Sequence, residues 1–121
     1  MKTVLVVDDF ASVRFFHQTL LKKAGYATVA AADGAEALAV LEKQPVDLVV
    51  LDLLMPKVSG TDFLERIRSG GRFAQLPVLV ITSEAARDAA KQVAQLPGVR
   101  LMAKPILPET FVAEVRRLLP A

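Results

Sequence analysis

Three aspartates follow two short apolar runs of this chain. Residues 4–7 (VLVV) are followed by Asp8 and Asp9, and residues 48–51 (LVVL) are followed by Asp52. Continuous apolar runs of this length are typical of strands that are buried on both faces of a parallel sheet, and ligands gather at the carboxyl ends of such strands. If the two strands are neighbours, we expect the three carboxylates to lie together.

A carboxylate cluster of this kind favours a bound cation. Neighbouring carboxylates repel one another, and the repulsion raises their pKa values unless a cation neutralises it. Carboxylate oxygens are the ligands that Mg²⁺ prefers in proteins. The three aspartates therefore predict a magnesium site that includes one reactive acid.

Two further strand-like segments end in groups that suit a phosphoryl ligand. Residues 77–81 (PVLVI) precede Thr82, and residues 99–103 (VRLMA) precede Lys104. An ammonium group and a metal ion together neutralise phosphoryl oxygens, while a hydroxyl group donates a hydrogen bond to them. The chain thus carries an acid pair, a nucleophilic aspartate, a hydroxyl group and a lysine at equivalent strand ends.

Each of these residues also has an ordinary structural alternative. Asp8 and Asp9 could cap the first helix, because Asp is a common N-cap residue, and Thr82 could cap a later helix. Lys104 could be a solvated loop charge, since lysines are mostly exposed. We favour the site because two tandem acids face a third, Asp52.

The hydrophobic pattern predicts a parallel α/β sheet, because short apolar runs alternate with segments of helical period. The strands are expected at residues 3–7, 26–31, 46–51, 77–81 and 99–103. The first helix should end at Gly25, the second should span 35–43, the third should end at Gly70-Gly71, and the fourth should span about 85–95. The apolar residues expected to face the core are Val13, Phe16, Leu20, Leu21 and Ala24 in the first helix, Leu38 and Leu41 in the second, Phe63, Leu64 and Ile67 in the third, and Phe111, Val112, Val115, Leu118 and Leu119 in the last.

The ordered set of motifs resembles the receiver domain of bacterial response regulators of the chemotaxis-regulator type. The motifs are Val6-Val7-Asp8-Asp9, Asp33-Gly34-Ala35-Glu36-Ala37-Leu38, Asp52 with Met55-Pro56 and Gly60, Thr82, and Lys104-Pro105. They cover nearly the whole chain. The resemblance implies one receiver domain over residues 1–121, with a flavodoxin-like (βα)5 doubly wound parallel sheet of strand order 2-1-3-4-5.

The resemblance also implies a role for each residue of the site. Asp52 would accept a phosphoryl group from a sensor histidine kinase or a histidine phosphotransfer protein. Asp9, Asp52 and the backbone carbonyl of Leu54 would bind Mg²⁺, and Asp8 would act mostly through water and electrostatics. Thr82 and Lys104 would bind phosphoryl oxygens, with a cis peptide bond between Lys104 and Pro105.

Beyond the site, the resemblance implies a signalling domain that catalyses only its own phosphorylation and dephosphorylation. It would act on a downstream effector protein or domain through the face made by helix four, strand five and helix five. The sequence departs from the family at Leu101, where an aromatic switch residue is usual. A leucine can be buried in both states, which argues against an exposed-to-buried rotamer switch. Val99 and Arg100 replace a common acidic pair, which weakens the case for a dimer, so we expect a monomer or weak dimer.

Composition limits the other classes of function. The chain has 121 residues, a formal charge of +2, no cysteine and no apolar run near the ~20 residues of a membrane span. We therefore expect a cytoplasmic protein with no membrane or direct nucleic-acid partner. His17, the only histidine, is expected to have a surface or packing role.

Two alternative functions can be stated. A receiver fold could signal without phosphorylation, as a pseudo-receiver interaction module, and Leu101 is the residue that favours this possibility. A small phosphatase with an aspartyl nucleophile would need a second Asp two residues after the first as general acid. The chain has Leu54 at that position, which argues against a phosphatase.

Overall fold

Five strands and five helices alternate along the part of the chain that the computed structural model describes, residues 1–53, 59–69 and 71–120. A short 3-10 turn, Glu84–Ala86, precedes the fourth helix. Within these residues, no helix has both the length and the apolar character that crossing a bilayer requires. The elements are β1 (Thr3–Val7), α1 (Ala11–Lys23), β2 (Ala27–Ala31), α2 (Gly34–Lys43), β3 (Leu48–Asp52), α3 (Gly60–Arg68), β4 (Val78–Thr82), α4 (Arg87–Val93), β5 (Val99–Ala103) and α5 (Pro108–Leu118).

The strands form one parallel sheet in the order β2-β1-β3-β4-β5. This is the flavodoxin-like order that the family resemblance implies, and the expectation is confirmed. Val7 of β1 pairs with Leu51 of β3, so the residues that follow the two strands emerge side by side. The switch point between β1 and β3 is the place where ligands bind in open α/β sheets.

Helices cover both faces of the sheet, and each face has its own hydrophobic core. Leu5 and Val7 of β1 pack on one side with Phe63 of α3, together with residues of α2 and α4. Val4 and Val6 alternate to the other side, where Phe111 of α5 and residues of α1 pack. Because strand residues point alternately to two covered faces, the strands read as continuous apolar runs.

Several boundaries and one core residue differ from the expectations. β2 begins at Ala27, β3 runs from Leu48 to Asp52, and the fourth helix is shorter because residues 84–86 form the 3-10 turn. Phe16 was expected in the core, but the prediction is wrong, since its side chain is 43% exposed. The inward face of α1 is centred instead on His17 and Leu21, both buried.

Arg68 ties two loops together at the end of the sheet opposite the aspartates. Its guanidinium donates to the carbonyls of Phe73, at 2.9 Å, and Leu76, both between α3 and β4. It also donates to the carbonyl of Pro97, between α4 and β5, at 2.7 Å. Burial lowers the pKa of Arg68. One side chain therefore fixes the loops before β4 and β5.

The Arg68 contacts predict a stability defect in Arg68→Met. Hydrogen bonds from charged groups contribute about 1.5–3 kcal/mol each, and the carbonyls would lose their donor, so we expect the free energy of unfolding to fall by about 2 kcal/mol. Urea denaturation measures this change. Arg66→Met is the matched control, because Arg66 is exposed in the same helical turn. An equal loss of stability in both variants would show that the Arg68 hydrogen bonds contribute nothing to the free energy of unfolding.

Candidate functional site

Asp8, Asp9 and Asp52 meet at the carboxyl ends of β1 and β3. One carboxylate oxygen of each residue lies within 4.8 Å of the others. Asp52 is the last residue of β3, and Asp8 and Asp9 follow β1 directly. The pairing of β1 with β3 therefore brings together the three acids as the apolar runs predict.

Asp8 is the most deeply buried of the three. Its Oδ1 accepts a hydrogen bond from the Phe10 backbone N–H at 2.9 Å. Burial raises the pKa of this carboxyl group, and the neighbouring Asp9 charge raises it further. The Phe10 N–H and the positive charges of Lys104 and Arg14 act in the opposite direction. Burial prevails, so an ionised Asp8 costs free energy in the folded protein.

Neither Asp8 nor Asp9 is the N-cap residue of α1. That residue is Phe10, whose own side chain forms no cap hydrogen bond, and the Asp8 carboxylate accepts the Phe10 N–H, which precedes the helix. Arg14, in the first turn of α1, donates instead to the backbone carbonyl of Asp8 at 2.7 Å. Sequence analysis missed this role of Arg14, because nothing in the local pattern distinguishes it from a solvated helix charge.

The residues of the cluster fit a divalent cation. Oδ1 of Asp9 is buried and has no hydrogen-bond partner among the described residues. A buried carboxylate oxygen of this kind needs a compensating partner, and hard oxygen donors are those that Mg²⁺ prefers. The expected backbone donor, the carbonyl of Leu54, lies outside the described residues.

Gly60 holds the backbone of the site at close range. Its N–H donates to the Leu53 carbonyl at 3.0 Å. A Cβ at this position would lie only 2.5 Å from the Asp52 carbonyl oxygen and from Cα of Leu53. Since both neighbours are backbone atoms, a larger residue would displace the end of β3. Gly60 belongs to the motif that carries the family resemblance, and this contact is a physical reason for glycine there.

Thr82 and Lys104 lie at the ends of β4 and β5, where the sequence places them. The Lys104 backbone N–H donates to the Thr82 carbonyl at 2.7 Å, and the Lys104-Pro105 peptide bond is cis, as expected. The Thr82 hydroxyl group donates to the Ser83 carbonyl at 3.3 Å. Lys104 is exposed, and its positive charge acts on Asp8. The charge of Lys104 therefore acts on the acid cluster although its side chain is exposed to solvent.

Asp33 is a buried acid near this edge of the sheet that serves a different purpose. It is the N-cap of α2, and its Oδ1 accepts the Glu36 backbone N–H at 2.9 Å. Oε1 of Glu36 in turn accepts the Ala32 N–H at 3.2 Å. This reciprocal arrangement resembles a capping box. The Asp33 segment of the family motif is therefore explained by helix capping.

His17 is buried between α1 and α5, which confirms the expected packing role. Its ring stacks on Phe111, with the ring centroids 5.1 Å apart. Nδ1 has no hydrogen-bond partner among the described residues. Burial, reinforced by the charge of Lys104, lowers the pKa of His17 to about 4. His17 is therefore neutral at physiological pH.

The comparisons with known proteins agree with this arrangement. The family model of the response regulator receiver domain matches residues 4–116. The chain belongs to the response regulator receiver domain family. It is 34% identical over 116 residues to the chemotaxis protein CheY of Pseudomonas aeruginosa, with 95% of this chain and 94% of that protein covered.

A longer relative and a solved structure extend the comparison. The chain is 36% identical to the probable transcriptional regulator ycf27 of Cyanophora paradoxa; the match covers 98% of this chain and 48% of that protein. This receiver chain thus spans about half the length of that regulator. The crystallised chemotaxis response regulator CheY4 of Vibrio cholerae superposes with a TM-score of 0.88 at 33% identity, covering 98% of this chain and 99% of that one.

The buried histidine predicts a specific dependence of stability on pH. Between pH 6.5 and 4 the unfolded chain binds the His17 proton and the folded protein does not, so the free energy of unfolding should fall by up to about 3 kcal/mol as the pH is lowered. His17→Leu removes this contribution. Chemical denaturation at pH 7.5 and pH 4.5 measures it.

In the His17 experiment, each protein is compared with itself at pH 7.5, which removes any difference in absolute stability between the two. Asp8 acts in the opposite direction, because its pKa is raised, and it acts equally in both proteins. We expect wild type to lose more stability on acidification than His17→Leu. If the free energy of unfolding falls equally with pH in wild type and in His17→Leu, His17 does not contribute to the pH dependence of stability.

Proposed function

We propose that this receiver domain accepts a phosphoryl group on Asp52 from a sensor histidine kinase or a histidine phosphotransfer protein. The convergence of Asp8, Asp9 and Asp52 within 4.8 Å is the observation that carries the proposal. A structural role alone does not explain it, because three acids at one sheet edge repel one another and cost stability. The combined negative charge of the three carboxylates suits a site that binds a cation and takes part in phosphoryl transfer.

Asp9, Asp52 and the Leu54 carbonyl are the proposed ligands of Mg²⁺, with Asp8 acting mostly through water. The buried, unpartnered Oδ1 of Asp9 supports this choice. The receiver domain of the sensor histidine kinase PA1611 from Pseudomonas aeruginosa, which is 22% identical and has a TM-score of 0.88, has a magnesium ion coordinated in its active site cleft. When bound, the ion would neutralise charge on the acids and on the phosphoryl oxygens.

The transfer itself needs little from the protein beyond placement. A carboxylate oxygen of Asp52 attacks the phosphorus atom, the P–N bond of the donor phosphohistidine breaks, and the electron pair of that bond stays on the imidazole. The Lys104 ammonium and the Thr82 hydroxyl group bind the phosphoryl oxygens, on which charge is spread in the transition state. Hydrolysis of the aspartyl phosphate by water would return Asp52 to its carboxylate form. The domain thus acts only on itself.

The output proposal concerns the face made by α4, β5 and α5. When Thr82 binds the phosphoryl group, its movement would shift this face between two populated states and so change its affinity for a downstream effector. Leu101, a leucine that could be buried in both states, is 43% exposed on β5. The reason is that β5 is an edge strand, paired only with β4.

The first experiment tests phosphorylation directly. After incubation with acetyl phosphate and Mg²⁺, intact-mass measurement should show one phosphoryl adduct on the wild-type protein and none on Asp52→Asn. Asp62→Asn, an exposed acid in the first turn of α3, is the matched control and should accept the group normally. An unmodified, folded wild-type protein would reject the proposal and favour the phosphorylation-independent module.

The second experiment tests the cation. We expect Mg²⁺ to raise the melting temperature, because it relieves repulsion among the acids, with a stabilisation of about 2.7 kcal/mol at a hundredfold excess over its dissociation constant. The gain should be lost in Asp9→Asn and retained in Asp62→Asn. A melting temperature that does not respond to Mg²⁺ in the wild-type protein would contradict the metal site.

A further inference from the structure

The segment that joins β1 to α1 carries two of the three acids, and it is held in place at Asp8. The Asp8 backbone N–H donates to the Ala31 carbonyl at the end of β2 at 3.2 Å, and Oδ1 of Asp8 accepts the Phe10 N–H at 2.9 Å. A third contact comes from α1, where Nη1 of Arg14 donates to the Asp8 carbonyl at 2.7 Å. This carbonyl belongs to the peptide group that leads into Asp9. Arg14 therefore holds the backbone between the two acids.

Arg14 occupies a position that a helix by itself disfavours for a cation. Its backbone N–H donates to the carbonyl of the N-cap residue Phe10 at 3.0 Å, so its side chain leaves the first turn of α1. A helix N-terminus carries positive partial charge, and cations are favourable at the opposite end. No acid lies in the first turn of α1, all of which the structure describes. A residue that departs from a local rule calls for a contact elsewhere that compensates, and the Asp8 carbonyl is that contact.

Arg14 has two opposite effects on a cation bound by the acids. Its charge repels the cation, which weakens binding. Burial is the main cause that raises the pKa of Asp8, and the Arg14 charge opposes it less than the Phe10 N–H or Lys104 does, so the action of this charge on the acids is small. Its hydrogen bond restrains the Asp8-Asp9 peptide group, and loss of a contact that orients metal ligands typically lowers metal affinity by about 10–100-fold. The hydrogen bond is therefore the larger effect.

We propose that Arg14 is a positioning residue of the cation site: its hydrogen bond fixes the Asp8-Asp9 peptide group and so keeps the Asp9 carboxylate in the acid cluster. Oδ1 of Asp9 is buried without a hydrogen-bond partner among the described residues, so the backbone, rather than a hydrogen bond to that atom, sets its position. The inference rests on the proposed function, because it concerns the Mg²⁺ site proposed there. It adds a residue that acts on the site through a ligand.

Calorimetric titration of Mg²⁺ into the full chain tests the role of Arg14. In Arg14→Met, which removes the donor and keeps an apolar stem, we expect the Mg²⁺ dissociation constant to rise at least tenfold. Arg14→Lys keeps the charge and an N–H donor, and it should bind Mg²⁺ more tightly than Arg14→Met. If charge repulsion were the main effect, this order would be reversed.

Lys22→Met is the matched control, since Lys22 is an exposed cation in the last turn of the same helix. It lies about 12 Å further along the helix axis than Arg14. Charges this far apart are largely screened, so the dissociation constant of Lys22→Met should stay within about twofold of wild type.

The choice between two cations separates positioning from charge. Mg²⁺ requires near-ideal octahedral geometry, whereas Ca²⁺ accepts flexible coordination by oxygen atoms. Arg14→Met should therefore lose more affinity for Mg²⁺ than for Ca²⁺. A change of charge alone, or a loss of overall stability, would not favour one of these cations over the other.

The wild-type titration distinguishes failure of the inference from failure of the proposed function. Wild-type protein that binds no Mg²⁺ would overturn both the metal site and the role of Arg14. Wild-type binding with an unchanged or lower dissociation constant in Arg14→Met would overturn only the role of Arg14, and so would an equal loss of affinity for Mg²⁺ and Ca²⁺. Arg14→Gln, which also removes the guanidinium and suits a helix, keeps the test decisive if Arg14→Met does not fold.

Discussion

The arrangement of the site at the carboxyl edge of the sheet depends on the parallel pairing of β1 with β3. The register that joins Val7 to Leu51 places Asp8, Asp9 and Asp52 side by side in a setting that excludes much of the water. Burial of like charges is unfavourable. The protein offsets part of this cost at Asp8 with the Phe10 N–H, Arg14 and Lys104, yet the pKa of Asp8 remains raised. A bound cation would compensate the remaining repulsion among the three carboxylates.

Backbone contacts fix the site as firmly as its side chains do. Gly60 lies so close to the end of β3 that a Cβ would collide with the Asp52 carbonyl oxygen. On the other side, the Lys104 N–H donates to the Thr82 carbonyl and connects the ends of β4 and β5. Positions of catalytic groups matter to fractions of an ångström, so rigid strand ends suit the proposed transfer. Arg68 holds the opposite end of β4 and β5 through loop carbonyls.

The α1 and α5 pair links the hydrophobic core to the site. His17 packs on Phe111 in the core, and the same ring lines an open groove next to Lys104. Burial, reinforced by the charge of Lys104, lowers the pKa of His17, so the ring remains neutral.

The local sequence determined much of this protein. Apolar runs that end in acid located the strands and the three aspartates, because a strand buried on both faces has to be apolar throughout and its end is where charge can emerge. The spacing of Gly25 after α1 marked a turn, which the structure forms with φ of +100°. Thr82 and Lys104 were found by the same pattern of strand ends.

Only the tertiary structure decided features that depend on neighbours distant in sequence. Helical spacing placed Phe16 in the core, whereas the structure buries His17 against Phe111 of α5 and leaves Phe16 43% exposed. The exposure of Leu101 follows from the position of β5 at the edge of the sheet, which only the strand order shows. The role of Arg14 likewise arises from three-dimensional contacts. The sequence thus determined which groups stand at the strand ends, and packing decided which of them are buried, paired or exposed, because burial depends on residues that no local pattern contains.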